Sequence, residues 1–366
     1  MKIAFYGSSL LSSYWNGAAT YYRGLLRALA PLGYDVTFYE PDAYDRQKHR
    51  DIEPPEWCRV EVYPATQDGL WSAAAHAGEA DVVIKASGVG FQDDALLEAL
   101  LRNASPGALR VFWDVDAPAT LAELAANQDH PTRAALREID LVLTYGGGDP
   151  VVRAYEEMGA RECIPVYNAL DPETHHPVAP DARFEADLAF LGNRLPDREA
   201  RVDAFFLQAA RNLNCGRFLL GGSGWDAGAL PPNVAYVGHV PTRDHNAFNV
   251  TPRAVLNVNR ESMASVGFSP PTRVFEAAGA GACLITDVWQ GVELFLSPGE
   301  EVLIARDGND VADIMAGLTS ERAREIGLRA RERVLREHTY DRRARQVDEI
   351  LRLRRARGTS LGRVAS

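Results

Sequence analysis

One rhythm runs twice through these 366 residues: a short apolar run, a helix-like stretch, then another apolar run. The first pass holds "KIAFYG", "AATYYRGLLRALAPLG" with its stop at Gly33, "DVTFYEP", "ADVVIKAS", "QDDALLEALLRN", "LRVFWDVD", "PATLAELAANQ", "IDLVLTYG", "DPVVRAYEEMGA" and "ECIPVYN". Strands that are apolar almost throughout, and separated by helices, belong to a parallel sheet covered on both faces. A Rossmann-like domain over residues 1–167 follows. "YNALDPETHHPVAPD" breaks the rhythm with Pro, Asn, Asp and His, and reads as a linker over 168–181. The alternation then resumes with "EADLAFLGN", "DREARVDAFFLQAARN", "GRFLLGGSG", "VAYVGHV", "RAVLNVNR", "ACLITD" and "EVLIAR", giving a second Rossmann-like domain over 182–338. The end of the chain is helical and splits near His338 to Asp341, where Thr339 or Asp341 suits the cap of the second piece. That last helix is expected over 339–358, with a narrow stripe of Val347, Ile350, Leu351 and Leu353, and a flexible tail over 359–366. The expected fold class is α/β: two Rossmann-like domains facing across a cleft, with the C-terminal helix crossing back to the first.

Charge limits the partners. The formal net charge of −11 opposes general nucleic-acid binding, which needs a basic footprint to displace counterions. From Glu321 to Ser366, however, 14 Arg stand against 7 acids, a local +7 that leaves −18 on the remainder. This basic end either pairs with the acidic body or makes a peripheral membrane contact. Cysteines 58, 163, 215 and 283 form no CxxC pair, so neither a metal nor a disulfide framework is expected. The start "MKIAFYGSS" reads as a strand rather than a signal peptide, and no run approaches the roughly 18 apolar residues that span a bilayer. A cytoplasmic protein is expected.

Chemistry concentrates in "PPTRVFEAAGAGACLITD", Pro270 to Asp287. Prolines and a threonine start a helix that Gly279 and Gly281 end, which puts Arg273 in the first turn. A cation there costs about 0.3–1 kcal/mol against the free N–H groups. Two readings compensate it. The Gly267–Arg273 junction offers backbone N–H groups and a guanidinium together, which suits a diphosphate, with Glu276 on nearly the same face to reach an attached ribose. Alternatively, Arg273 and Glu276 form an i,i+3 ion pair on a surface helix.

"SPPTRVFEAAGAGACLITD", with "GVELFLSPGEEVLI" and "REHTYDRRARQ", resembles the C-terminal domain of bacterial GT-B glycosyltransferases, particularly the spore-maturation-protein branch. "VYNALDPETHHPV" is similar to the linker of those enzymes, and "ADLAFLGNRLPDRE" to the opening of their second domain. The resemblance covers about residues 140 to 350 well and the preceding part in outline. It implies a nucleotide-sugar donor held by the second domain. Glu276 matches the family glutamate that grips the donor ribose. Gly267, Phe268, Ser269, Thr272 and Arg273 match the loop on the donor's sugar and phosphates. Arg194 and Arg198 lie near a basic diphosphate clamp, and Gly238 and His239 match the turn beside the nucleobase. Many relatives carry a second glutamate eight residues before the ribose-binding one; that place here is Phe268.

The same resemblance gives the first domain to the acceptor, of unknown identity. "FWDVDAPAT" puts Asp114 and Asp116 at a strand end, where a carboxylate deprotonates an acceptor hydroxyl or stabilises an oxocarbenium-like transition state. The alternative is that Asp116 caps the helix starting at Pro118 and Asp114 makes structural hydrogen bonds. The loop "YGSSLLSSYWNG" offers Gly7, Ser8, Ser9 and Gly17 to the acceptor side, but it is no GxGxxG fingerprint. Glu40 therefore reads as a surface residue rather than a cofactor acid. "TYGGGDP" is either a close ligand approach or a tight turn. His175 and His176 read as solvated linker residues, His130 as a loop residue and His338 as a helix break. Asp114-Val-Asp116 is a DxD in the wrong domain for the donor, so no metal and no cofactor is expected. The function that results is metal-independent transfer of a sugar from a nucleotide-diphosphate donor to a hydroxyl-type acceptor. A catalytically degenerate binder and a nucleotide-sugar epimerase on the same fold are the alternatives.

Overall fold

The computed structural model of the chain describes residues 1–14 and 16–362, with 356–362 as backbone alone. It comprises two units: residues 1–167 together with the segment from Tyr340 onward, and Asn168–Thr339.

The first unit is a parallel sheet of β1 (Lys2–Tyr6), β2 (Asp35–Asp42), β3 (Arg59–Pro64), β4 (Val82–Ala86), β5 (Leu109–Asp114), β6 (Leu141–Thr144) and β7 (Cys163–Pro165). Their order is β3-β2-β1-β4-β5-β6-β7. Central strands bury both faces: Phe5, Phe38 and Phe112 are at most 2% exposed, and the rings of Phe5 and Phe38 stack 5.1 Å apart. The sequence reading passed over β3. Its Arg59-Val60-Glu61-Val62 alternation belongs to an edge strand with one face in solvent, not to the apolar runs that mark the interior.

The C-terminal helix is part of this unit. It starts at Tyr340 and continues to Gly362, past the 339–358 expected. Residues 359–362 of the anticipated tail are thus helical, and 363–366 lie outside the described residues. It packs on the helix Ala18–Leu29, where a Cβ on Gly24 would strike the Tyr340 ring. Val347 and Leu351 are fully buried, and the Tyr34 hydroxyl donates to Asp348 at 2.7 Å. Part of the basic charge is spent inside the unit: Arg354 pairs with Glu162, and Arg355 with Asp81 at 3.1 Å.

The second unit holds β8 (Leu188–Leu191), β9 (Phe218–Gly221), β10 (Val234–Gly238), β11 (Ala254–Asn257), β12 (Leu284–Asp287) and β13 (Leu303–Ala305), ordered β10-β9-β8-β11-β12-β13. All registered pairs in both sheets are parallel. Each sheet reverses its winding beside its first strand, between β1 and β4 and between β8 and β11. At such a switch point the following loops diverge and leave a crevice at the carboxyl ends of the strands. The helix expected over 197–212 is present, but widens to a π turn over Asp203–Leu207.

The stretch read as a linker is built into the second unit. Leu170 N donates to His338 O at 2.7 Å, and the Asn168 amide to Pro270 O at 3.3 Å. Leu170 is 1% exposed, Asp171 7% and His175 3%. Among the described residues no helix is long and apolar enough to cross a membrane.

Candidate functional site

The β8–β11 crevice gathers three cations, Arg198, Arg260 and Arg273. After β8 the chain turns through Gly192 to Arg198, the residue before the helix Glu199–Val202. After β11 it passes Arg260 and a short helix, Glu261–Val266, before the loop into the helix Thr272–Ala280. Arg198 is half-buried, and its Nε is buried with no hydrogen-bond partner among the described residues. Burial first, then the like charge of Arg260, lowers its proton affinity; Asp197 opposes this, and Arg273 adds to it. Asp197 itself is bonded to Arg260 at 2.6 Å. Arg201, by contrast, is committed to buried Asp287 at 2.6 Å and to Glu261 at 2.8 Å. So Arg198 is a guanidinium pressed by two others, in a place suited to an anion.

Arg194 does not join it. It pairs with Glu199 at 2.8 Å, both side chains nearly half exposed. An exposed pair of this kind contributes little.

Arg273 is the second residue of its helix, and its anion is already present. Its guanidinium lies 3.3 Å from Glu276 and 3.5 Å from the Asn249 amide oxygen. This is the i,i+3 pair of the second reading, but buried rather than on a surface, with Glu276 9% exposed. Burial alone would raise the Glu276 carboxyl. Arg273 outweighs burial, with help from the neighbouring imidazoles and Thr272, and brings it down to about 2. His175 Nε2 stands 3.8 Å from Glu276, and its ring lies nearly parallel to that of His245 at 6.4 Å. Burial and then the charge of Arg273 lower His245 to about 4. The neutral ring that results has Nε2 3.1 Å from Val240 O, to which it donates in one tautomer.

The loop before this helix is strained. Gly267 (φ 75°) is followed by Phe268 at φ 49°, a left-handed conformation that bulky residues rarely adopt. Phe268 N donates to Gln290 O at 2.6 Å, and a Cβ on Gly291 would collide with the Phe268 ring. Ser269 is 1% exposed and its hydroxyl turns back to Gly267 O at 3.0 Å, whereas Thr272 is only half-buried. At the end of β10, Gly238 takes φ 68° and His239 is exposed.

Residues 198–349 match the glycosyl transferase-like family. That segment resembles the glycosyl transferase-like family, and the chain as a whole has the GT-B fold. No curated protein sequence matches it. Among solved structures, sucrose-phosphate synthase from Thermosynechococcus elongatus superposes with a TM-score of 0.72 at 18% identity, over 96% of this chain and 98% of that one. HepE from Anabaena, solved in complex with UDP-glucose, gives 0.67 at 14% identity over 96% and 99%. AviGT4, a glycosyltransferase involved in avilamycin A biosynthesis, gives 0.61 at 16% identity over 97% and 98%.

In the first unit the candidate base Asp114 is closed off. It is 1% exposed and accepts from Ser87 at 2.7 Å, Thr120 at 3.0 Å, the Asp116 backbone at 2.9 Å and the Tyr155 hydroxyl. Burial raises its pKa, against those four donors. With its lone pairs engaged and no open face, Asp114 is a structural node; its catalytic assignment is corrected. Asp116 stands half-buried at the N-cap of the helix Ala117–Ala126, but its side chain makes no capping bond, which corrects the cap reading.

The acceptor-side loop is also turned inward. Ser8 donates to Asn16 at 2.9 Å and Ser9 to Glu40 at 2.8 Å, and the two serines are 3% and 0% exposed. Their hydroxyls shape the loop and are not offered outward, contrary to expectation. Gly7 lacks a Cβ that would hit the Phe38 ring, and Gly17 is exposed before the helix Ala18–Leu29. Glu40 is fully buried, not a surface residue: it also accepts from Leu10 N and from the Gln47 amide at 2.6 Å. "TYGGGDP" is a tight turn, since a Cβ on Gly147 would collide with Val151.

The candidate site contains residues that sequence reasoning missed: Arg260, His245, Asn249 and above all His175. Nothing in the spacing of "THHP" separates a buried imidazole from a solvated one. The nearest signal was the Gly279 position, where a Cβ would collide with Leu170 and come 3.0 Å from His175 O.

Proposed function

We propose that the enzyme transfers a glycosyl group from a nucleoside-diphosphate sugar to a hydroxyl-type acceptor, with the donor on the second unit and without a metal ion. The observation that carries this is Arg198: a guanidinium with an unpartnered buried Nε, under the charge of Arg260 and Arg273, at the crevice of an open α/β sheet. Arginine forks bind phosphate oxygens bidentately, and three of them supply the charge that a divalent cation otherwise supplies. Glu276, held ionised, is an acceptor for ribose hydroxyls. Because HepE is solved with UDP-glucose, UDP-sugars are the first donors to test. Asp116 remains the carboxylate for the acceptor hydroxyl on the first unit.

Titration with UDP, GDP, ADP and dTDP, and with their glucose conjugates, tests the reading. A nucleoside diphosphate raises the melting temperature, and R198Q weakens it at least about tenfold while the free nucleoside is affected less. Equal affinity in R198Q would move the donor elsewhere. Phe268, in the place of the family's second glutamate, favours one rival, a binder that has lost transfer chemistry. Hydrolysis of the bound sugar donor distinguishes the two, since a pure binder releases no sugar.

A further inference from the structure

On the helix of Glu276 and the two segments packed beside it, five polar atoms are buried and lack a hydrogen-bond partner among the described residues: His175 Nδ1, His245 Nδ1, Asn246 Oδ1, Asn249 Nδ2 and Arg273 Nε. They come from three separate segments: the stretch after β7, the helix His245–Val250 and the helix Thr272–Ala280. Interiors leave few such atoms unpaired, so a group of five marks a place arranged for polar occupants.

His175 is the member most firmly set. Its backbone N donates to Asp171 O at 2.9 Å, and Asp171 in turn accepts from Thr174 at 2.8 Å. The Asn246 amide grips Thr174 O at 2.9 Å, and the His175 carbonyl lies over Gly279. A segment tied at each of these points presents the imidazole to Glu276 by construction.

The ionisable groups facing Glu276 are Arg273 on its own helix, His245 on the helix His245–Val250, and His175; Glu276 is the one acid of this group. A nucleoside diphosphate competes for Arg273, because a guanidinium bonds phosphate more strongly than it holds one carboxylate edge at 3.3 Å. A buried carboxylate that loses its cation is strongly disfavoured unless another donor takes its place. We propose that His175 is a positioning residue of the donor site, steadying the Glu276 carboxylate as Arg273 turns to the diphosphate, so that ribose hydroxyls meet an acceptor already in place. This rests on the reading that Glu276 contacts the donor ribose.

The test is calorimetric titration of UDP, GDP, ADP and dTDP into wild type, H175F, H175Q, E276Q and the double variant H175F/E276Q, with donor KM and kcat measured alongside. H175F fills the space without a donor, and H175Q restores one. H175F weakens the nucleotide that binds wild type by about tenfold or more and raises KM with kcat little changed, as loss of uniform binding does. H175Q recovers most of the affinity, and H175F costs nothing further in the E276Q background. If H175F does not fold, H175N, whose amide is too short to reach Glu276, takes its place with the same expectation. Wild-type affinity in H175F, or an equal loss with and without Glu276, overturns the inference while leaving the donor site intact. Absence of any nucleotide binding in wild type overturns the donor site, and this inference with it.

Discussion

The carbonyl oxygen of His175 lies close over Gly279: a Cβ there would come 3.0 Å from that oxygen and press on the Leu170 side chain, so any larger residue must displace one or both. The contact joins the stretch after β7 to the helix carrying Arg273 and Glu276. Gly279→Ala therefore destabilises the fold by about 1–3 kcal/mol through overpacking. It also lowers nucleoside diphosphate affinity, because the histidine is displaced with its segment. Urea unfolding measures the first and titration the second; a variant as stable as wild type would mean that the segment moves aside freely.

Acid weakens the second unit in two stages. His245 titrates at about 4 when folded against 6.5 in a free chain, so between those values the unfolded chain takes up a proton that the folded one refuses, and stability falls as pH drops from 6.5 to 4. Glu276 titrates at about 2 against 4.5, so its contribution is complete above 4.5 and disappears as pH falls toward 2. H245N flattens the upper window and E276Q the lower. Urea midpoints collected across both windows check the assignment, and unchanged slopes would refute it.

Asp114→Asn tests whether that carboxylate is structural. An amide cannot accept from all of Ser87, Thr120, Tyr155 and the Asp116 backbone, and one donor is left facing an N–H. A loss of about 1–3 kcal/mol is expected, with activity per folded molecule retained. A stable but inactive D114N would return the residue to the chemistry.

Gly291→Ala places a Cβ against the Phe268 ring at a backbone φ of 90°. Strain of this kind costs on the order of 1–3 kcal/mol. Because the Phe268 loop precedes the helix of Arg273, sugar-nucleotide binding falls more than binding of the bare nucleotide. The ratio of the two dissociation constants is the readout, and a constant ratio would detach Phe268 from the donor sugar.

The strand and helix rhythm was legible because buried parallel strands need apolar residues on both faces, as Phe5, Phe112 and Leu256 show. The edge strand β3 was not, since Glu61 and Arg59 alternate with valines and one face meets solvent. In the site, the Arg273–Glu276 pairing follows from helical spacing and could be read directly. Its burial could not, because that depends on segments far apart in the chain. The same limit hid His175, Glu40 and Asp114, three polar side chains whose partners lie on other loops, strand ends and helices distant in sequence, where local pattern carries no information about who will meet whom.

The seat of Tyr340 against Gly24 has a consequence for biosynthesis. The first Rossmann-like sheet cannot close its surface until the segment from Tyr340 onward has been synthesised, whereas Asn168–Thr339 emerges as one uninterrupted stretch. The later-encoded unit is therefore the one able to finish first, and the nascent amino-terminal half waits, with the Ala18–Leu29 helix uncovered, for the Tyr340–Gly362 helix to arrive.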